Sequence, residues 1–325
     1  MPLIQPFRGL RPAPGRDADV IAPPYDVLSS AEARERAAGK PWSFLHISKA
    51  EIDLPQGTDP YAVTVYAKSA ENFARLVGEG VLICDTAPCY YVYRMTTGAH
   101  VQTGIVAAAS VADYDSNRIR KHEFTRPDKE DDRVRQIEAL GAQTGPVLLA
   151  YPDSPEADAL LAAAAAGEPV ADAELDGVRH TVWRIADGAM IAALGKTFEA
   201  MPALYIADGH HRSAAASRVA ASRRAAGDEG DASGFLAVIF PAHEMRIMDY
   251  NRVVRDLAGL SPTAFLARTS EHFSVTRATG RVQPERPGVV GMYLGGQWYR
   301  LEIDPARVPA ADPVRRLDVS VLSEQ

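Results

Sequence analysis

Residues 203–207, Ala-Leu-Tyr-Ile-Ala, form an apolar run that passes directly into Asp208-Gly209-His210-His211-Arg212, and helix formers fill residues 213–225. A short apolar run predicts a buried strand, and a glycine allows the tight reversal that sends a helix away from the strand's end. A strand handed straight to a helix points to an α/β chain. The helix that begins there aims its unbonded amides and the positive end of its dipole at the turn, a ready anion site. Arg212 carries the planar fork that suits phosphate or carboxylate, and His210 and His211 add further donors. Asp208 could hold a metal ion or orient a histidine. The plainer reading makes Asp208 a helix cap and both histidines surface residues. Five such residues in one junction favour function.

The rest of the pattern alternates in the same way. Prolines at 6, 12, 14, 23 and 24 keep the opening extended. Ser29 or Ser30 then caps a helix over residues 31–38, and a second helix spans 60–78, with Val63, Tyr66, Ala70, Phe73 and Leu76 at helical spacing. Residues 87–96 and 101–110 read as an antiparallel strand pair, turning at Thr97-Gly98-Ala99-His100. Pro127 opens a helix that runs to Leu140, since proline suits a first turn and the acids behind it complement the positive helix end. Strands follow at 146–151, around 179–185 and at 235–241, with helices at 154–167 and 188–201 between them. Residues 227–234 read as a solvated loop. A Ser261-capped helix, a strand near Val275 and a hairpin over 289–303 that turns at Gly295-Gly296 complete the chain. The expected architecture is α/β (α+β), mixed sheets with flanking helices.

At 325 residues the chain is long for a single core. One elaborated domain, with a division near residue 152 into 1–152 and 153–325, is the expectation. A net charge of −7 argues against general nucleic-acid binding, which needs a basic surface. Two cysteines, Cys84 and Cys89, are too few for a disulfide framework and read as ordinary strand residues. Neither a signal peptide nor an apolar run of spanning length is present, so a cytoplasmic protein without membrane contact is expected.

Three further clusters could carry chemistry. In Arg120-Lys121-His122-Glu123, an extended backbone would put Lys121 beside Glu123 and Arg120 beside His122. Glu123 then reads as a general base or a magnesium ligand, against an equal reading as a solvated charge run. Pro23-Pro24-Tyr25-Asp26 is a rigid turn that either walls a pocket with Tyr25 and Asp26 or only routes the chain. Asn251 and Arg252, after Tyr250, could bind anions or merely close a loop. No phosphate loop, dinucleotide-binding glycine motif or serine-nucleophile elbow occurs, which disfavours the common nucleotide and hydrolase folds.

In order along the chain, Ala22-Pro23-Pro24-Tyr25-Asp26-Val27, Lys121-His122-Glu123-Phe124-Thr125, Asp131-Asp132-Arg133, Thr144-Gly145-Pro146, Ile206-Ala207-Asp208-Gly209-His210-His211-Arg212 and Tyr250-Asn251-Arg252 resemble the family called domain of unknown function 1015. The resemblance covers nearly the whole chain. It implies a continuation beyond residue 325, and it departs at Ser213, where an aromatic residue is expected. The segment Asp208-Gly209-His210-His211-Arg212 is also similar to the signature of the ParB/sulfiredoxin-like superfamily, which includes the archaeal free-serine kinase. That similarity implies a ParB/sulfiredoxin-like core around the turn, with Gly209, His210, His211 and Arg212 on nucleotide phosphates and Lys121 beside them. It further implies ATP or ADP and Mg²⁺, with Asp208 as metal ligand. A kinase for a small hydroxylated metabolite such as free serine follows, with Glu123, His122 and Asp208 as catalytic groups and Tyr25, Asp26, Asn251 and Arg252 on the substrate. A phosphate-ester hydrolase and a non-enzymatic nucleotide-binding or anion-binding regulator are the alternatives. The sequence leaves the oligomeric state open.

Overall fold

A computed structural model describes residues 1–228, 231–249, 251–309 and 311–324. The chain forms two compact units, Met1–Met245 and Arg246–Gln325. Residue 152 falls inside the first unit, where strands on both sides of it share one sheet.

Among the described residues that sheet has nine strands: β1 (Ile4–Gln5), β2 (Tyr90–Thr97), β3 (His100–Ser110), β4 (Ile119–Arg120), β5 (Val147–Tyr151), β6 (Ala171–Leu175), β7 (Val178–Ile185), β8 (Leu204–Asp208) and β9 (Gly234–Pro241). Their order is β4-β8-β5-β9-β3-β2-β7-β6, with β1 extending the pairing along β3. Most neighbours are antiparallel; β8 with β4 and β9 with β5 are parallel. The fold is thus a mixed α/β sheet with flanking helices, as expected.

Alternation along the strands decides which residues reach the core. Val92, Ile105, Trp183 and Ile239 enter one continuous core with Leu161 of α4 (Pro155–Ala164) and Leu194 and Phe198 of α5 (Gly188–Glu199). Helices α1 (Ser30–Ala37), α2 (Val63–Gly78) and α3 (Pro127–Leu140) carry smaller cores: Leu76 and Leu140 pack with Val20 and Ile47, and Ala33 and Ala37 with Leu45. Ser29 caps α1 through a complete capping box with Glu32. Pro127 stands at the start of α3, and Gly141, at φ 61°, ends it in the left-handed conformation.

The face of α2 differs from the expected stripe. Val63 is exposed, and the buried positions are Val65, Tyr66, Ser69, Asn72 and Leu76. Two of these are polar because they bond backbone: Ser69 Oγ donates to the Ile47 carbonyl at 2.6 Å and Asn72 Nδ2 to that of His46 at 2.7 Å. Strand β8 is only half-buried, with Leu204 and Ile206 inward and Tyr205 and Ala207 exposed. Cys89 is buried and Cys84 exposed, both as free thiols. Among the described residues no helix is long and apolar enough to cross a membrane.

The second unit holds a three-stranded antiparallel sheet, β10 (Phe273–Ala278), β11 (Val289–Leu294) and β12 (Gln297–Ile303), in the order β10-β12-β11. Gly295 and Gly296, both at positive φ, form the turn of the β11–β12 hairpin. Phe273, Leu301 and Ile303 pack with Val321 of α7 (Asp318–Glu324).

Candidate functional site

Strands β4 and β8 run parallel as neighbours, so their C-terminal ends open on the same side of the sheet. From β4 the chain leaves as residues 121–126 and enters α3. From β8 it turns at Gly209 into α6 (His210–Ala225). Topology alone therefore sets the segment with Glu123 against the first turn of α6. The carboxyl ends of strands are where open α/β sheets leave room for ligands.

Gly209 makes this turn at φ 97° and ψ 29°. A β-carbon there would meet the Arg212 guanidinium at 3.1 Å, and one at Gly145 would meet Arg212 Cδ at 3.3 Å. The Arg212 side chain thus lies across two glycines. Its Nη2 pairs with Asp208 and its Nη1 donates to the Pro146 carbonyl. Gly209 has no side chain to cap α6, and among the described residues no backbone acceptor takes the first-turn amides of His210, His211 and Arg212. Gly209→Ala is expected to cost about 1–2 kcal/mol, from the positive φ and the displaced guanidinium. Urea unfolding reads this, and an unchanged midpoint contradicts it.

The two histidines face the 121–126 segment. His210 is buried, and its Nε2 accepts the His122 backbone N–H at 3.4 Å. That bond leaves the ring proton on Nδ1, which lies 3.4 Å from Glu123 Oε2. The His122 ring meets the His210 ring edge-on at 4.4 Å. Burial and the neighbouring His122 hold the His210 imidazole below its ordinary pKa, against an opposite pull from Glu123 and Asp208. His211 Nε2 accepts the Arg126 backbone N–H at 3.1 Å. Each histidine therefore clamps a backbone amide of the segment onto α6.

The paired strand ends at Arg120. Lys121 does not pair with Glu123; its Nζ lies 3.9 Å over the Tyr114 ring. Glu123 keeps 59% of its side chain exposed while it contacts His210. Phe124 is fully exposed. Ser213, where an aromatic was expected, is buried, and its Oγ donates to the His210 carbonyl at 3.0 Å.

The N-terminal motif joins the same neighbourhood. Tyr25 lies under Arg133, whose Cζ is 4.1 Å from the ring. Burial raises the Tyr25 phenol, and the positive charges of Arg133 and Arg212 oppose that rise. Arg133 bonds Asp132 through Nε at 3.0 Å and Nη2 at 2.6 Å, and the buried Asp132 also accepts the Tyr66 hydroxyl at 2.8 Å. Asp26 is exposed. Asn251 and Arg252 belong to the second unit and are exposed in irregular chain, and Tyr250 lies outside the described residues.

Sequence reasoning overlooked Tyr114 as the seat of Lys121 and the Pro146 carbonyl as a partner of Arg212. It also overlooked Arg218, which ties α6 to α3 through Glu130 and Asp131. The Arg212 and Arg218 contacts join segments distant in sequence, and the Lys121–Tyr114 contact spans seven residues across the turn between α-helix and strand; none leaves a periodic signal. Among the described residues no group of three or more His, Cys, Asp or Glu side chains is arranged to hold a metal ion, and Asp208 is engaged by Arg212. The residues present do not form a preformed cation cage. A family model described as Protein of unknown function (DUF1015) matches residues 4–320. No curated protein and no solved structure matches the chain.

Proposed function

The chain belongs to the DUF1015 family of proteins of unknown function, and from that premise we propose that the β8–α6 turn binds the phosphates of ATP or ADP and transfers a phosphoryl group to a small hydroxylated metabolite. Free serine is the first candidate acceptor. The observation that carries this reading is the meeting of Glu123, through His210, with the uncapped first turn of α6.

In this account the open amides of His210, His211 and Arg212, at the positive end of a 16-residue helix, receive the phosphate oxygens. Arg212 has five donor hydrogens and commits two, so its fork also reaches a phosphate. The imidazoles of His210 and His211 act as clamps on the 121–126 segment and do not touch phosphate. His210 Nδ1 lies 3.4 Å from Glu123, a charge contact that keeps the carboxylate beside the turn. Glu123, largely exposed, accepts the proton of the acceptor hydroxyl while that oxygen bonds to phosphorus and the nucleotide's bridging P–O bond breaks. Positioning and charge neutralisation supply most of such catalysis. Tyr25 and Arg133 form the wall beside Arg212. The short similarity of Asp208–Arg212 to the ParB/sulfiredoxin-like signature supports the same reading.

A binding module without chemistry is the second reading, favoured by the Asp208–Arg212 pair and the lack of a preformed cation cage. The two separate in a phosphate-transfer assay with ATP and ADP as donors and serine, threonine and other hydroxylated metabolites as acceptors. Formation of a phosphorylated acceptor supports the transferase. Nucleotide binding with no product from any acceptor supports the module, and nucleotide hydrolysis alone supports a phosphatase. Arg212→Ala is expected to weaken nucleotide affinity about tenfold to a few hundredfold, the size of one or two charge-assisted hydrogen bonds. Equal affinity for both proteins removes Arg212 from the site.

A further inference from the structure

The face of the large sheet opposite the main core is incompletely filled. Tyr91 pairs with Val106 and Ala108 with Leu236, while Val182 pairs with Tyr93, two residues along from Tyr91, so all these side chains point to one face. Tyr91, Val106, Ala108, Val182 and Leu236 line a cavity of about 760 Å³ within the first unit. Residues 5–12, the end of α3 and one side of α6 complete its walls. Protein interiors are packed nearly as densely as organic crystals, and a space of this size matches a small-molecule pocket. Small side chains keep it open, with Gly9, Ala108, Ala142 and Ala171 on its walls, and Phe7, Phe44, Phe73 and Leu236 make it apolar.

One part of the wall is cationic. The buried Asp85 gathers the arginines of the N-terminal segment: Arg11 binds its two carboxylate oxygens at 3.0 and 3.1 Å, and Arg8 Nε donates to its carbonyl at 3.0 Å. Both arginines line the cavity. Arg11 is neutralised by Asp85. Arg8 is exposed, and among the described residues no carboxylate lies within ion-pair distance of it. Arg223 and Asp231 also line the cavity, Arg223 at 4.0 Å from Asp228, so Arg8 is the lining guanidinium without a carboxylate partner among the described residues. An apolar chamber with it at the wall selects a ligand with an apolar body and one anionic end.

We propose that this cavity binds an apolar-bodied carboxylate, of the fatty-acid class, with its carboxylate on Arg8 and its chain against the sheet face formed by Val106, Ala108, Val182 and Leu236. The site is separate from the β8–α6 turn and does not rest on the phosphoryl-transfer reading.

The test is titration calorimetry of the full chain with dodecanoate below its micellar concentration, beside dodecanol as a neutral probe of equal length. Dodecanoate is expected to bind saturably with one site, about tenfold or more tighter than dodecanol. Arg8→Gln is expected to bring dodecanoate down to the affinity of dodecanol. Ala171→Phe, which fills the chamber from the edge strand β6, is expected to abolish both; Val182→Phe replaces it if circular dichroism shows the first variant unfolded. No saturable binding of either probe, or dodecanoate binding unchanged in Arg8→Gln and in the filling variant, overturns the proposal. Equal affinity for the two probes in the unaltered protein overturns the assignment of Arg8. ATP binding measured on the same variants reports on the turn alone, so failure of one reading is not mistaken for failure of the other.

Discussion

Glu123→Gln is expected to leave nucleotide affinity within about twofold and to lower phosphate transfer by about 10²–10⁴-fold, the usual contribution of a positioned general base. The amide keeps the shape of the side chain, and the clamp on the 121–126 segment, made by the His122 and Arg126 N–H groups on His210 and His211, does not involve Glu123 and survives. Basicity is lost. His210→Ala is the informative contrast, because it removes the acceptor for the His122 amide and releases the segment that carries Glu123. Transfer rate and nucleotide affinity measured on both variants separate chemistry from positioning. Retained transfer in Glu123→Gln assigns the base elsewhere.

The largest expected loss of stability lies away from that turn. Asp85 is 4% exposed and carries the Arg11 bonds, a contact from Arg184 Nη1 at 3.0 Å and the Tyr91 hydroxyl at 2.5 Å. Asp85→Ala leaves a largely buried guanidinium and a buried phenol without their acceptor. Breaking such a group costs about 3 kcal/mol, with Arg184 discounted because water reaches it. For a unit of this size that is roughly 6–12 °C in Tm. Burial by itself would raise the Asp85 pKa, but hydrogen bonds from Arg11, Tyr91 and Arg184 outweigh it and hold the carboxyl below its ordinary value. A group depressed in the folded state contributes stability above its unfolded pKa and loses it as pH falls through the folded one. Asp85 therefore stabilises the protein above about pH 4 and ceases to do so in stronger acid. Thermal unfolding across pH 2–7 is expected to show a shallower acid decline for Asp85→Asn than for the unaltered protein. Parallel declines contradict the assignment.

Elements with their own punctuation were legible in the sequence. Helix α3 begins and ends where Pro127 and Gly141 place it, and the β2–β3 and β11–β12 hairpins turn at their glycines. Strand β6 was not legible, because Ala-Asp-Ala-Glu-Leu has neither β-branched nor aromatic residues and is held by pairing with β7. The buried face of α2 was legible in Tyr66, Ala70, Phe73 and Leu76, whereas Val63 is exposed and Ser69 and Asn72 enter the interior only through hydrogen bonds to distant carbonyls. At the candidate site, sequence supplied the residues and their strand–helix junction, and the fold brings Glu123 to 3.4 Å from His210. It could not supply the direction of the histidines. A ring nitrogen that accepts a backbone N–H from a remote segment looks, in sequence, like one available to a ligand. The cavity on the sheet face was equally hidden, because it depends on Gly9, Ala108, Ala142 and Ala171 coinciding across four separated segments.

The central claim is that the β8–α6 turn is a nucleotide-phosphate site. Isothermal titration of the full chain with ATP and with ADP, each with Mg²⁺, tests it most directly. Saturable binding of at least one nucleotide, with a single site and a dissociation constant below about 1 mM, is the expected result. Absence of heat from both at millimolar concentration contradicts the claim and assigns the open amides of α6 to some other anion.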